Sequence, residues 1–280
     1  MVVARHFALS FPHRGPTRNS NCWQCMRHDR YSYDLFIMRS DQIFRVAVLA
    51  GSVGSAIGLK EEAANWPQWL REMCSCKVYE EHHPMLTINR ALPYLIHFPE
   101  SEVFMVHFGT TVGWPIVSPK ITNFLRPDLR TEYAFHLSHH KSAKISRRLK
   151  HTLIHGLRNI IKISAFPFGL YRPRTNMRDV DDQLKTLVEL AHEKAQYVFW
   201  LQHRTLGYRR LFLERIVYRK FYKRITSLVE ATCGIELITI PDSFMIQENY
   251  LLDGVHLSEL GHERLAQIIH DQVTKQLFFS

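Results

Sequence analysis

An aspartate and a histidine separated by two residues, Asp253-Gly254-Val255-His256, stand near the C-terminal end of this 280-residue sequence. The intervening glycine permits a tight turn, and such a turn can bring the carboxylate beneath the imidazole. A carboxylate in that place accepts from the far ring nitrogen, fixes the tautomer and stabilises the imidazolium. Far upstream, the apolar run Arg45-Val46-Ala47-Val48-Leu49-Ala50 breaks into Gly51-Ser52-Val53-Gly54-Ser55. That pattern predicts a buried strand ending in a turn of small residues with a serine at its tip. A serine hydroxyl is unreactive until a hydrogen-bonded base removes its proton. Ser52 as nucleophile, His256 as base and Asp253 as orienting acid are therefore the parts of an acyl-transfer centre. Ser55 competes with Ser52, which has the advantage of following the apolar run directly. The structural alternatives are a helix-capping serine, a turn-forming aspartate and a hydrogen-bonded structural histidine. Gly54 suits close approach of the backbone to a ligand, or serves backbone geometry alone.

The elements that must hold these groups alternate along the chain. A helix from Ser258 to Val273 has Ser258 as N-cap, Glu259 in its first turn, and Leu260, Leu265, Ile268, Ile269 and Gln272 at roughly helical intervals. Upstream, strands are predicted at Phe44–Leu49, Lys77–Tyr79, Glu102–Gly109, Gln196–Leu201 and Glu236–Ile240. Between them lie helical stretches at Ile57–Cys74 (started or kinked by Pro67), Met85–Phe98, Ala143–Lys162, Val180–Glu193 and Arg215–Ala231, the last closed by Gly234. This alternation predicts a three-layer α/β/α sandwich around a central, mostly parallel five-stranded sheet. In such a sheet the ligand crevice lies outside the carboxyl ends of the strands. Gly109-Thr110-Thr111, at the end of one strand, should therefore neighbour the Ser52 turn, with His82, His83 and His107 as candidate pocket residues.

On these residues the chain resembles the SGNH hydrolase superfamily, the GDSL-type esterases and lipases, as a divergent member. DGVHLSELGHERLA matches the family's Asp-x-x-His followed by a polar residue and a helix, and Ala50-Gly51-Ser52 stands where Gly-Asp-Ser is usual. The resemblance runs from about Phe44 to Ile269. It implies an SGNH/flavodoxin-like sheet and a serine hydrolase acting on ester bonds through an acyl-enzyme. The activity would be that of an esterase or deacetylase, or of an O-acyltransferase on a carbohydrate. A small acyl ester or an acylated carbohydrate would be the substrate. It also implies an oxyanion and substrate site built from Ser52, Gly54, Gly109, Thr110 and Thr111. Thr111 stands where the family has an asparagine, and the glycine of the family's second block has no counterpart in Tyr79–Met85. A threonine hydroxyl donates with shorter reach than an amide, and losing one oxyanion donor costs about 10²–10³ in rate. A catalytically silent protein of this fold, binding an anionic polysaccharide or lipid surface, is the competing expectation.

Composition narrows the rest. Lys and Arg exceed Asp and Glu by 36 to 26, a net charge of +10. Residues 117–178 hold thirteen of those cations against Asp128 and Glu132, so this basic helical insert carries the whole excess. An anionic polymer or an acidic membrane surface is the partner such a lid would recognise, whereas its few aromatics argue against base stacking with nucleic acid. Five cysteines show no framework spacing, and Cys22-x-x-Cys25 lacks the second pair that a zinc site needs. Neither a metal nor a nucleotide cofactor is implied, because no ligand-spaced histidine pair or phosphate-binding loop is present. Residues 1–40 read as a basic, poorly ordered leader (Met26 or Met38 could lie nearer the start), and residues 41–280 as one domain. With no secretory pattern or apolar run of spanning length, a cytoplasmic location is expected.

Overall fold

The computed structural model describes residues 44–55, 57–59, 64–84, 86–109, 112–113, 115–118, 156–157, 159–173, 175–203, 212–251 and 254–279, the side chains of 177, 178, 278 and 279 excepted. The basic leader, Cys22 and Cys25, most of the insert, Thr110, Thr111 and Asp253 lie outside the described residues.

Five parallel strands form the sheet: β1 (Arg45–Ala50), β2 (Lys77–His82), β3 (Ser101–His107), β6 (Ala195–His203) and β7 (Glu236–Ile240), in the order β2-β1-β3-β6-β7. The apolar runs are buried on both faces, as parallel strands covered by helices must be. Helices α1 (Trp66–Cys74) and α5 (Glu259–Phe279) cover one face. Helices α2 (Ile88–Leu95), α3 (Met177–His192) and α4 (Phe212–Ala231) cover the other. The protein is thus the expected three-layer α/β/α sandwich. Pro115–Val117 (β4) pairs antiparallel with Tyr171–Pro173 (β5), a two-stranded ladder that ties the start of the insert to a segment near its end and that alternation alone did not reveal.

Two boundaries move for physical reasons. Residues 57–59 form turns, and α1 begins only at Trp66, where Asn65 caps it with a reciprocal Gln68 bond and Pro67 occupies the first turn. In α5, Leu260 is left 39% exposed; the inward stripe is His262, Leu265, Ala266, Ile269 and Val273. A histidine takes the place in the core that the sequence pattern assigned to a leucine.

Because β1 pairs with β2 on one side and β3 on the other, the chain changes its direction of travel across the sheet between β1 and β3. Crevices in open α/β sheets form at this point, outside the carboxyl ends. Ser52 follows the first of those two strands.

Candidate active site

The serine turn is built from hydrogen bonds that leave one residue at its tip. The Gly51 amide donates to the His107 carbonyl at 2.8 Å, which ties the turn to the end of β3. The Gly54 amide closes back on the Gly51 carbonyl at 2.9 Å, and the Ser55 hydroxyl donates to the Ser52 carbonyl at 2.8 Å. Ser55 therefore spends its hydroxyl on the turn itself. Ser52 is 3% exposed. Gly54 leaves no room for a side chain, since a Cβ there would lie 2.5 Å from the Ala50 Cβ and 3.1 Å from the Trp66 indole nitrogen. Gly109 has φ +59° and packs against Val53, where a Cβ would come within 3.0 Å. The carboxyl end of β3 and the serine turn are in contact.

His256, 4% exposed, sits in an equally tight loop. The Leu251 amide donates to the His256 carbonyl and the Gly254 amide to the Leu251 carbonyl, both at 2.8 Å, with Gly254 at φ +66°. Tyr250 and Leu257 form a bridge across the loop base. The Ser258 hydroxyl then accepts from the Gly261 amide at 3.1 Å, the N-cap bond that starts α5, and donates to the Glu248 carbonyl. Gly261 is pressed so closely on the Asn249 carbonyl that a Cβ would fall 2.0 Å from its oxygen. The loop is held from below by a helix that only glycine allows to dock.

His262 joins the two loops. It is wholly buried, its Nδ1 accepts from the Trp66 amide at 3.1 Å, and it lies within electrostatic reach of His256. The Ser55 backbone lies beside the ring, yet Nε2 has no hydrogen-bond partner. One imidazole is thus bonded to α1 and lies beside the serine turn, within electrostatic reach of His256.

Beneath the site runs a row of histidines. Register pairs Ala50 with His82 on one side and His107 on the other, so all three point toward the α1/α5 layer, as does His203 at the end of β6. The Nε2 atoms of His107 and His203 are 3.1 Å apart, with the rings stacked and Trp66 edge-on to His107. His82 Nε2 meets Glu80 at 2.6 Å, and the Asn65 amide donates to the same carboxylate oxygen at 2.7 Å. Burial works to raise the Glu80 pKa, but these two partners prevail and hold it below the usual carboxylate value. Burial depresses His107 well below the ordinary imidazole range, with His203, His262 and His82 adding to the effect. It takes His203 to about 3, and it takes His262 to about 4 with help from His82 and His256. At neutral pH these three rings are uncharged, so they shape the floor of the site without lending it positive charge.

Of the residues named from sequence, Ser52, Gly54, Gly109 and His256 are described, all at the carboxyl edge; Asp253, Thr110 and Thr111 lie outside the described residues. His83 turns away from the serine: its ring stacks on Tyr94 and pairs with Glu81, and its amide donates to the Ala50 carbonyl at 2.9 Å. His203 and His262 escaped sequence reading. His262 was legible in principle, because it precedes Leu265, Ile269 and Val273 on one helical stripe. Among the described residues, no group of three or more His, Cys, Asp or Glu side chains is arranged to hold a metal ion.

No protein-family model matches the sequence, and no curated protein matches it. Solved structures do. A psychrotrophic esterase from Pseudoalteromonas sp. is 13% identical, covering 83% of this chain and 98% of that one, with a TM-score of 0.49. A member of the lipolytic G-D-S-L family from Veillonella parvula is 11% identical over 83% and 99%, with a TM-score of 0.48. An acetyl xylan esterase from Geobacillus stearothermophilus is 8% identical over 85% and 95%, also at 0.48.

Proposed function

We propose that this chain is a serine ester hydrolase of the SGNH type. Ser52 Oγ attacks the ester carbonyl while His256 takes the hydroxyl proton. The tetrahedral intermediate then expels the alcohol, which leaves with that proton, and the acyl group stays on Ser52. Water, or a sugar hydroxyl in a transferase variant of the cycle, repeats the steps in reverse with His256 again as base. Asp253 orients the imidazole. The Ser52 amide, Gly54 and the Gly109–Thr111 segment are the candidate donors to the oxyanion. A small acyl ester, free or on a carbohydrate, is the substrate class.

The observation that carries this reading is the position of Ser52: the tip of a glycine-closed turn at the sheet's topological switch point, with His262 beside the turn and within electrostatic reach of His256. The test is turnover of p-nitrophenyl acetate together with fluorophosphonate labelling, for the wild-type protein and Ser52→Ala. Loss of labelling and a fall in turnover of roughly 10³-fold or more are expected. Equal turnover by both proteins would remove Ser52 from the chemistry.

A second reading is favoured by the donors. The His83 amide is spent on Ala50, and Thr111 stands where the family has an asparagine. In that reading the fold is catalytically silent and retained for binding. A folded wild-type protein that neither labels nor exceeds background turnover would select it.

A further inference from the structure

We propose that the protein docks on an anionic lipid bilayer through an apolar face, bordered by cations, at the carboxyl edge of its sheet. Helical residues 159–165 turn Ala165 inward onto Tyr171 and Val217 and leave Ile160 and Ile163 exposed, with Leu157 exposed just before them. The turn that follows presents Phe168 at 78% exposure, and α4 opens with Phe212 at 76%. Leu157, Ile160 and Ile163 recur every third residue and so share a helix face, and their segment packs beside the start of α4. Lys162 Nζ pairs with Glu214 Oε1 at 2.9 Å, the Tyr171 hydroxyl donates to the same oxygen, and Phe166 and Leu213 pack on the same small core. Contiguous large apolar residues left in water mark an interaction site.

The border identifies the occupant. On α4 the exposed positions beside Phe212 are Arg215, Arg219 and Lys220, and Arg172 is exposed on β5. The acid in that first turn, Glu214, is buried against Lys162. Arg219 stands about 10 Å along the helix from Phe212, two turns from the apolar end of α4. A second copy of this chain would bring like charges face to face across the contact. An apolar surface bordered by Arg and Lys fits the boundary between acyl chains and anionic headgroups. Because no described helix is long and apolar enough to cross a membrane, the contact lies on the bilayer. The Tyr218 hydroxyl donates to the carbonyl of His203 at the end of β6, so Phe212, six residues nearer the start of α4, lies toward the same sheet edge as the Ser52 turn, and docking turns that edge toward the lipid.

The inference does not rest on the chemistry of Ser52, and its test keeps the two apart. The full chain is sedimented with vesicles of equimolar phosphatidylglycerol and phosphatidylcholine, and with pure phosphatidylcholine, at low and high salt. Wild type and Ser52→Ala should bind the anionic vesicles equally and release them at high salt. The triple variant Ile160→Ser/Ile163→Ser/Phe168→Ser and the double variant Arg219→Glu/Lys220→Glu, each with an unchanged melting profile, should each lose at least about tenfold in partitioning. Phe212→Ser alone serves should the triple variant misfold. No sedimentation of wild type with anionic vesicles overturns the proposal. So does binding that only the charge variant weakens, which signifies a polyanion site. A wild-type dimer in sedimentation velocity that the triple variant dissolves would give the face to self-association instead.

Discussion

His107 and His203 meet Nε2 to Nε2 at 3.1 Å in a fully buried site, which requires opposite tautomers: one ring donates and the other accepts. Their Nδ1 atoms have no partner, one as donor and one as acceptor. The pair has no capacity for an extra proton without burying a charge against its neighbours. The groups facing it are His82 (held by Glu80) and His262, so the nearest carboxylate is already engaged.

Stability should therefore fall below neutral pH. His107, His203 and His262 all have folded pKa values below the ordinary 6.5, two of them at about 3 and about 4. In the unfolded chain the same rings take protons as pH drops through 6.5, so the unfolded state gains protons first. The stabilisation is complete above that pH and is lost progressively as pH falls toward the folded values. Each ring contributes a slope of about 1.4 kcal/mol per pH unit in that window. Urea unfolding midpoints should drop steeply between pH 7 and 5. His262→Asn, whose amide oxygen can still accept from Trp66, should reduce the slope by about one proton. A midpoint indifferent to pH across this range would show that these rings are hydrated in solution.

Glycine substitutions should divide sharply. Gly54→Ala drives a methyl into Ala50 and the Trp66 indole, and Gly261→Ala drives one into the Asn249 carbonyl. Overpacking of this kind costs about 1–3 kcal/mol, and the second clash is with backbone, which yields least. At Gly156, in a helical stretch, an alanine methyl would meet nothing within 4 Å, so Gly156→Ala should be neutral or stabilising by up to about 1 kcal/mol. Melting temperatures of the three variants decide this, with Gly261→Ala lowest and Gly156→Ala at or above wild type.

Cys74 should be the readily alkylated thiol among the described cysteines. It is exposed, and a hydrogen bond from Cys76 lowers its pKa to about 7, while Cys76 is buried and raised. Thiolate is the reacting species, so iodoacetamide modification of Cys74, followed by peptide mass spectrometry, should rise with a midpoint near pH 7. A midpoint above 8 would show that the Cys76 bond does not persist in solution.

The sequence alone determined the layers and the two ends of the candidate site. Apolar runs such as Val46–Ala50 and Val103–Val106, short and rich in β-branched residues, read as buried strands, and the strand–helix alternation leaves few ways to cover them. Gly51-Ser52 and Gly254-Val255-His256 were legible because small residues at strand and loop ends carry a local meaning of their own. What the tertiary structure decided is who meets whom. His203 and His262 lie far from His107 and Ser55 in sequence, and nothing in their own neighbourhoods marks them as partners. Register put His82 and His107 on either side of Ala50, and the docking of α5 through Gly261 set His262 between Ser55 and Trp66. That docking also displaced Leu260 to the surface, which periodicity had assigned to the core. Local pattern reports which face of an element is apolar; only packing fixes which polar side chain the opposing element delivers to it.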